Sequence, residues 1–408
     1  MTGFRRGHLS DYFTGVVAKT LTVVETDKAR SNQHEFQGTR PLRRLLGDER
    51  RRQIPARFIR LGDEQDTISE DGFLSWSNVR EGRPRAPEYH LYYSDNAVTG
   101  LMRAGDMLFL AARPDNSLVV IIAPSASTTR SQLLWLFGMD DEPEFDHFRF
   151  QEIEHQPAKV SFAVRYILDD LGIEVDTGEA DELEELIDKF GTGFPRTRDF
   201  SSLARTSLKD LSPIESPDET LIAWLEREEL LFRLLEKKVV AERLKAGFLT
   251  EGGHADVDGF LTFSLSVQNR RKARAGHSLE NHLEALFQFH RLAFARGGET
   301  ENRNKPDFLF PGVDQYRDAN FDPARLTMLG AKSTCKDRWR QVLSEAARIE
   351  GKHLLTLEPS ISENQTSEMR AKQLQLVLPK ALHETYRPAQ RSWLMSVADF
   401  ISLVRARQ

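Results

Sequence analysis

Three charged residues in the last third of the chain have the types and spacing of a phosphodiester-cleaving site. Asp307 stands in Lys305-Pro306-Asp307-Phe308-Leu309-Phe310, at the head of a short apolar strand pattern. Lys332 closes Leu329-Gly330-Ala331-Lys332, 25 residues later, and Glu345 follows 13 residues after that. A charge at the end of an apolar strand is costly unless it is paired or used. Carboxylates can hold a hard divalent cation such as Mg2+, which polarises a phosphate and lowers the pKa of its bound water. A lysine beside that water can orient it and offset developing negative charge. Glu280 is a further acid, with Glu284 one turn on, near the start of a helix predicted over 278–292 with Ser278 as its N-cap. Taken singly, each residue is an ordinary strand-end or helix-surface side chain. The combination is what points to chemistry.

The elements that must position these residues follow from hydrophobic periodicity. Residues 219–245 predict a long helix, with apolar residues three and four apart. Short, very apolar strands are predicted at 292–296, 307–310, 325–334, 353–357 and 374–378, with helices at about 336–350 and 393–406. Such alternation implies an α/β unit with a central sheet covered on both faces. On the 336–350 helix, at about 100° per residue, Val342, Leu343, Ala346 and Ile349 form one face. Glu345 and Arg338 then share a flank of that face.

The first part of the chain reads as β-rich. Strand patterns at 13–24, 57–61, 89–93, 106–112 and 117–123 are separated by Gly, Asp, Asn and Pro clusters, which suggests a small barrel or sandwich. A short helix is predicted at 131–138 and another at 159–172. Gly191-Thr192-Gly193 and Pro195 break the periodicity. The expected division is therefore a domain over 1–172, a linker region over 173–197 and a second domain over 198–408.

Residues 271–278, Glu280 through Glu284, KPDFLFPG and LTMLGAKSTCKDRWRQVLSEA resemble the catalytic domain of EcoRII-type restriction endonucleases, a branch of the PD-(D/E)xK nuclease superfamily. The resemblance covers roughly residues 181–408. This branch moves the usual second acid from the lysine-bearing strand to the following helix, which matches Ala331 and Glu345 here. The resemblance implies a restriction-endonuclease-like fold with a central mixed sheet. It implies Asp307 and Glu345 as metal ligands, Lys332 as the catalytic lysine and Glu280 as an accessory acid, with Mg2+ as cofactor. It further implies a base-reading turn in Lys336, Asp337 and Arg338, with Arg340 a further candidate. An arginine can donate two hydrogen bonds to guanine and a carboxylate can accept from cytosine. Some relatives flip a base pair, and Arg227, Phe232 and Arg233 lie in the helix that would carry the stacking residue.

The N-terminal part is similar to the effector-binding domain of the same enzymes, a pseudobarrel of the plant B-three type, on Asn32-Gln33-His34-Glu35-Phe36, on Pro41 to Gly47 and on strand order. Such domains grip the DNA major groove with two loops. The matching loops, about 31–40 and 76–90, hold His34, Arg40, Trp76, Asn78, Arg80, Arg83, Arg85 and His90.

Composition agrees with these expectations. The 408 residues carry a net charge of −6, split into +3 over 1–130, −16 over 131–260 and +7 over 261–408. Basic segments can face a polyanion. No apolar run approaches the roughly 18 residues that cross a bilayer. No secretory leader pattern opens the chain, and the single cysteine excludes an internal disulfide. The resulting expectation is a soluble, cytoplasmic, homodimeric type II restriction endonuclease that acts on double-stranded DNA without a membrane. Its site would be short and G·C-flanked, similar to CC(A/T)GG. The alternatives are a DNA-binding regulator on a nuclease-like fold and a structure-specific repair nuclease.

Overall fold

The computed structural model describes residues 9–26, 35–62, 67–139, 147–153, 161–173, 180–191, 193–250, 252–335 and 338–408. His34, Lys336 and Asp337 lie outside the described residues. The chain forms two compact units, Met1–Thr177 with Pro359–Asn364, and Gly178–Glu358 with Gln365–Gln408. Among the described residues no helix is long and apolar enough to cross a membrane.

The first unit is built on one eight-stranded sheet. Its strands are β1 (Gly15–Thr20), β2 (Glu35–Gly38), β3 (Arg51–Arg60), β4 (Ile68–Asn78), β5 (Tyr89–Tyr93), β6 (Met107–Ala112), β7 (Leu118–Ala123) and β8 (Arg149–Glu152). The order is β2-β5-β4-β3-β7-β6-β1-β8. Only the β3–β7 pair is parallel.

The central strands are apolar on both faces because each face has its own core. Val17, Leu108, Leu110, Val120 and Ile122 point to one side, with Phe58, Trp76 and Leu91. Val16, Ala18, Phe109, Ala111, Val119 and Ile121 point to the other, where Leu133 and Ile167 from the helices Thr128–Leu136 and Phe162–Asp170 cover them. The sheet curls rather than closing. Its edge strands are not bonded to each other, yet Phe36 on β2 meets Phe148 beside β8 at 6.1 Å between ring centroids.

The sequence reading missed β4, because its outer half (Ser69, Glu70, Asp71, Gly72) is polar, and it missed the short edge strands β2 and β8. The stretch read as a linker holds the helix Ala180–Asp188. Its Leu183 and Ile187 pack with Phe200, Phe232 and Leu235.

The second unit carries a mixed sheet in the order β13-β12-β11-β10-β9. The strands are β9 (Ala295–Arg296), β10 (Phe308–Phe310), β11 (Thr327–Lys332), β12 (Lys352–Thr356) and β13 (Leu374–Val377). β9, β10 and β11 run antiparallel, and β11, β12 and β13 parallel. Phe308 and Phe310 project to one face, against Phe287 at 5.1 and 5.2 Å, and Phe400 closes on Phe310 at 5.7 Å. Phe287 belongs to the helix Val257–Phe289 and Phe400 to the helix Val397–Arg407.

Two predicted helices are corrected. Residues 257–289 are one continuous helix, capped by Asp256, whose carboxylate accepts from the Gly259 N–H at 2.9 Å. Ser278 is therefore a buried mid-helix residue, not an N-cap, and Glu280 lies far from the helix start. The predicted 336–350 helix shrinks to Trp339–Leu343. Ala346 adopts a left-handed backbone (φ 48°), which a continuing right-handed helix does not allow. Glu345 accordingly sits in the turn after the helix, its N–H donating to the Val342 carbonyl at 3.2 Å, and the helical-flank argument that paired it with Arg338 does not hold.

The other face of the sheet is where this short helix docks. A Cβ on Gly330 would stand 2.8 Å from Val342 Cγ2, so the absence of a side chain at 330 lets the helix approach β11. Gly330→Ala should cost about 1–3 kcal/mol by overpacking. Adding Val342→Ala in the same chain should recover part of that loss, so a double-mutant cycle by denaturant titration should return a favourable coupling.

Candidate active site

Sheet register brings Asp307 and Lys332 together. Phe308 pairs with Leu329, so Asp307, one residue earlier, comes level with Gly330. Lys332 lies two residues further along β11 and on the same face, because side chains alternate along a strand. The Lys332 Nζ donates to Asp307 Oδ2 at 2.8 Å, and the Ala331 N–H donates to the same oxygen at 2.7 Å. Both side chains are largely but not wholly buried, with 20% and 16% exposed.

Glu345 is the third member, and its environment is unusual. Burial and then the negative charge of Asp307 push its carboxyl up to about 7, although Lys332 and Lys352 pull the other way. Its Oε2 is buried and has no hydrogen-bond partner. A buried carboxylate oxygen without a hydrogen-bond donor, beside a second carboxylate, is a donor set that fits a hard cation. Among the described residues no three His, Cys, Asp or Glu side chains converge as a ready-made cage. Two carboxylates with room for water suit a hard cation that keeps part of its hydration shell.

Lys352 was not found from the sequence. It opens β12, its Nζ donates to the Ile349 carbonyl at 2.8 Å, and burial lowers its pKa while Glu301 and Glu345 hold it up. The signal was available, since a lysine leading an otherwise apolar strand needs a partner. Arg296 was missed too. It opposes Phe308 across β9–β10 and forks between Glu280 at 2.7 Å and Glu284 at 2.6 Å. The charge of Glu280 is thus met by Arg296.

The segment after Lys332 is tethered. Cys335 is fully buried and its N–H donates to the buried carboxylate of Glu358. Arg338 is exposed, with its backbone N–H on the Cys335 carbonyl at 2.8 Å. Arg340 is exposed, pairs with Glu368 at 3.0 Å and lies over the Trp339 ring. Of the helix candidates for base stacking, Phe232 is buried and Arg233 pairs with Glu229 at 2.6 Å.

In the N-terminal unit the structure separates loop scaffolding from exposed cations. Trp76 is corrected from a DNA-contacting residue to a core residue. It is fully buried, its Nε1–H donates to the Gly47 carbonyl at 2.9 Å, and it stacks on Tyr89. Asn78 clasps the loop, its side-chain oxygen accepting from the Arg80 and Glu88 N–H groups, both at 3.0 Å. Arg80 pairs with Glu88. His90 sits between Glu35 at 2.8 Å and Glu88 at 3.3 Å; burial lowers its pKa, but the two carboxylates outweigh it and the net shift is upward. Arg40, Arg83 and Arg85 remain exposed.

The raised Glu345 carboxyl has a consequence for stability. A folded-state value above the ordinary one makes its contribution full below about pH 4.5 and lost as pH rises through about 7. With chelator present, wild type should lose on the order of 3 kcal/mol relative to Glu345→Gln between pH 4.5 and 8. Urea unfolding of both proteins across that range checks it; parallel pH profiles would refute the assignment.

The stretch that holds these residues is similar to known proteins. The family model described as EcoRII C terminal matches residues 232–401. The type II restriction enzyme EcoRII of Escherichia coli is 45% identical over 187 residues, 46% of this chain and 45% of that enzyme, so the match spans under half of that relative. Two solved structures are also similar. Metal-depleted Ecl18kI in complex with uncleaved, modified DNA has 20% identity and a TM-score of 0.44, over 56% of this chain and 84% of that one. The restriction endonuclease PspGI–substrate DNA complex has 14% identity and a TM-score of 0.43, over 52% and 93%. Asp307, Lys332 and Glu345 all fall inside residues 232–401, the stretch that is similar to the EcoRII C terminal family.

Proposed function

We propose that the protein is a type II restriction endonuclease, hydrolysing double-stranded DNA at a short G·C-flanked site resembling CC(A/T)GG. The observation that carries this reading is the convergence of Asp307, Lys332 and Glu345 on one face of the sheet at the β10–β11 pair, inside residues 232–401, the stretch similar to the EcoRII C terminal family. Asp307 and Glu345 would hold Mg2+, and the unpartnered Glu345 oxygen supports that assignment. When bound, the ion would supply Lewis acidity and a lowered pKa for a coordinated water. Lys332, whose ammonium donates to Asp307, would orient a water and offset charge developing on the phosphate. In-line attack would leave a 5′-phosphate. Glu280 would act as an accessory acid only through its pairing with Arg296.

The finer fold and partner assignments belong to the same proposal. The five-stranded unit is read as a restriction-endonuclease-like fold, and the curled sheet of the first unit as a B-three-like effector domain over about 1–172. That domain would bind a second copy of the site through Arg40, Arg83 and Arg85. Lys336, Asp337 and Arg338 would read bases, with Arg340 released from Glu368 to join them. A homodimer would cut both strands of a near-palindrome, one site per chain.

Cleavage of a random-sequence plasmid library with Mg2+, supplemented with effector oligonucleotides carrying CC(A/T)GG, tests the reading. Wild type should give discrete fragments, and Lys332→Ala should lower the rate by at least about 100-fold while DNA binding persists. Random nicking by wild type would exclude sequence specificity, and intact DNA despite tight binding would exclude the enzyme. Arg83→Ala with Arg85→Ala should weaken effector binding and reduce the salt slope of log K by about two, measured by titration at several salt concentrations.

A further inference from the structure

Arg338 follows Lys332 in the chain, and Cys335 stands midway between them. Lys332 ends β11, where it pairs with Thr356 at the end of β12. Beyond that pair side chains take over from the ladder. The Glu358 N–H donates to Thr356 Oγ1 at 3.3 Å, and that hydroxyl donates to the Ser333 carbonyl at 3.5 Å. The Glu358 carboxylate then reaches across to accept the Cys335 N–H. The Glu358 carbonyl accepts the Tyr386 hydroxyl at 2.6 Å. Thr356, Glu358, Cys335 and Tyr386 are all buried.

A buried carboxylate costs more than a buried amide or hydroxyl, either of which could accept one N–H. What the carboxylate adds is a charge-assisted bond, shorter and stronger than a neutral one. That bond fixes Cys335, and Cys335 in turn holds Arg338. The Cys335 carbonyl accepts the Arg338 N–H at 2.8 Å, and the Arg338 carbonyl accepts the Gln341 N–H at 3.1 Å. The helix that follows, Trp339–Leu343, is a single short turn and does not hold its own N-terminus. The backbone of Arg338 is therefore oriented from Cys335, while its side chain is exposed. We propose that Glu358 is a positioning residue for sequence discrimination. Through Cys335 it sets the direction from which Arg338 meets a base edge, on the same segment that carries Lys332. This deepens the proposed function and rests on its base-reading assignment of Arg338. A two-bond contact to guanine tolerates little misalignment, whereas a phosphate contact carries no sequence information. Loosening Cys335 therefore removes discrimination rather than DNA binding.

The test uses the full chain with Mg2+ and effector oligonucleotides. Two end-labelled duplexes compete for it, one carrying CC(A/T)GG and one with a single outer C·G pair replaced by T·A. The ratio of their cleavage rates is the readout. Glu358→Ala should lower that ratio by about tenfold or more. Glu358→Gln, which keeps an acceptor, should restore most of it. A role in stability alone would slow both duplexes equally, and an unmoved ratio would overturn the proposal. In an Arg338→Ala chain, Glu358→Ala should lower the ratio no further, because both changes act on one contact. A second full loss there would overturn the route through Arg338. Should the alanine variant not fold by circular dichroism, Glu358→Asp keeps the charge but lacks the reach, and it should show the same fall. Hydrogen exchange of the Cys335 amide, followed by NMR without DNA, should speed up by roughly tenfold in the same variant. Unchanged protection would overturn the proposal whether or not the chain cuts DNA. A wild type that cuts both duplexes alike, or neither, overturns the proposed function and this assignment with it. A wild type that discriminates, beside a Glu358→Ala variant that discriminates equally, overturns this assignment alone.

Discussion

Two carboxylates on one face of a sheet repel each other, and the second unit is arranged around that repulsion. Asp307 is satisfied, since one of its oxygens takes both the Lys332 ammonium and the Ala331 N–H. Glu345 is not satisfied, and its carboxyl rises accordingly. The repulsion exists only because packing forces the approach. Gly330 admits Val342, the short helix Trp339–Leu343 closes on β11, and the left-handed turn at Ala346 fixes the residue before it. Packing energy thereby holds a charge arrangement that electrostatics alone would relax.

The aromatic face of the same sheet supplies that energy. Phe308 and Phe310 alternate with Asp307 and Leu309, so the site residue Asp307 directly precedes the short strand that anchors it. Phe287 and Phe400 press on the anchoring side from two different helices. A strand this short has few ladder hydrogen bonds, and edge-to-face ring contacts add about 0.5–1.5 kcal/mol each beyond the area they bury. The first unit meets a similar demand differently, with two cores on the two faces of one curled sheet.

Much of this was legible in the sequence. The apolar strands β5, β6, β7 and β10 through β13 follow from runs of Val, Ile, Leu and aromatic residues, and the Pro217–Ala246 helix from its periodicity. Asp307 and Lys332 were legible through their combination with Glu345, since each alone is an ordinary strand-end charge. What failed depended on tertiary context. β4 carries its polar half on an open face, so alternation is lost there. The 257–289 helix crosses a stretch with almost no buried residue, so periodicity is weak until Arg274 and Ser278. Ala346 has no local reason to turn left-handed. Trp76 sits in a segment rich in loop residues, yet its register, two residues from Leu74, sends it inward.

The cations show most plainly why composition underdetermines function. Sequence offers many arginines to a polyanion, but the fold has already employed most of them. Arg296 is shared by two glutamates, and Arg274 is buried against Glu228 and Glu229. Removing a partner from pairs like the latter leaves a desolvated charge, so they cannot turn outward to a phosphate cheaply. Arg340 with Glu368 is a different case, since both side chains are over a third exposed and such a pair is worth at most about 1 kcal/mol. A phosphate or guanine could take Arg340 at little cost. Arg83, Arg85 and Arg338 need no release at all. Ordering the cations by what each must give up, rather than by where it falls in the sequence, separates the scaffold of the two units from the groups free to meet a polyanion.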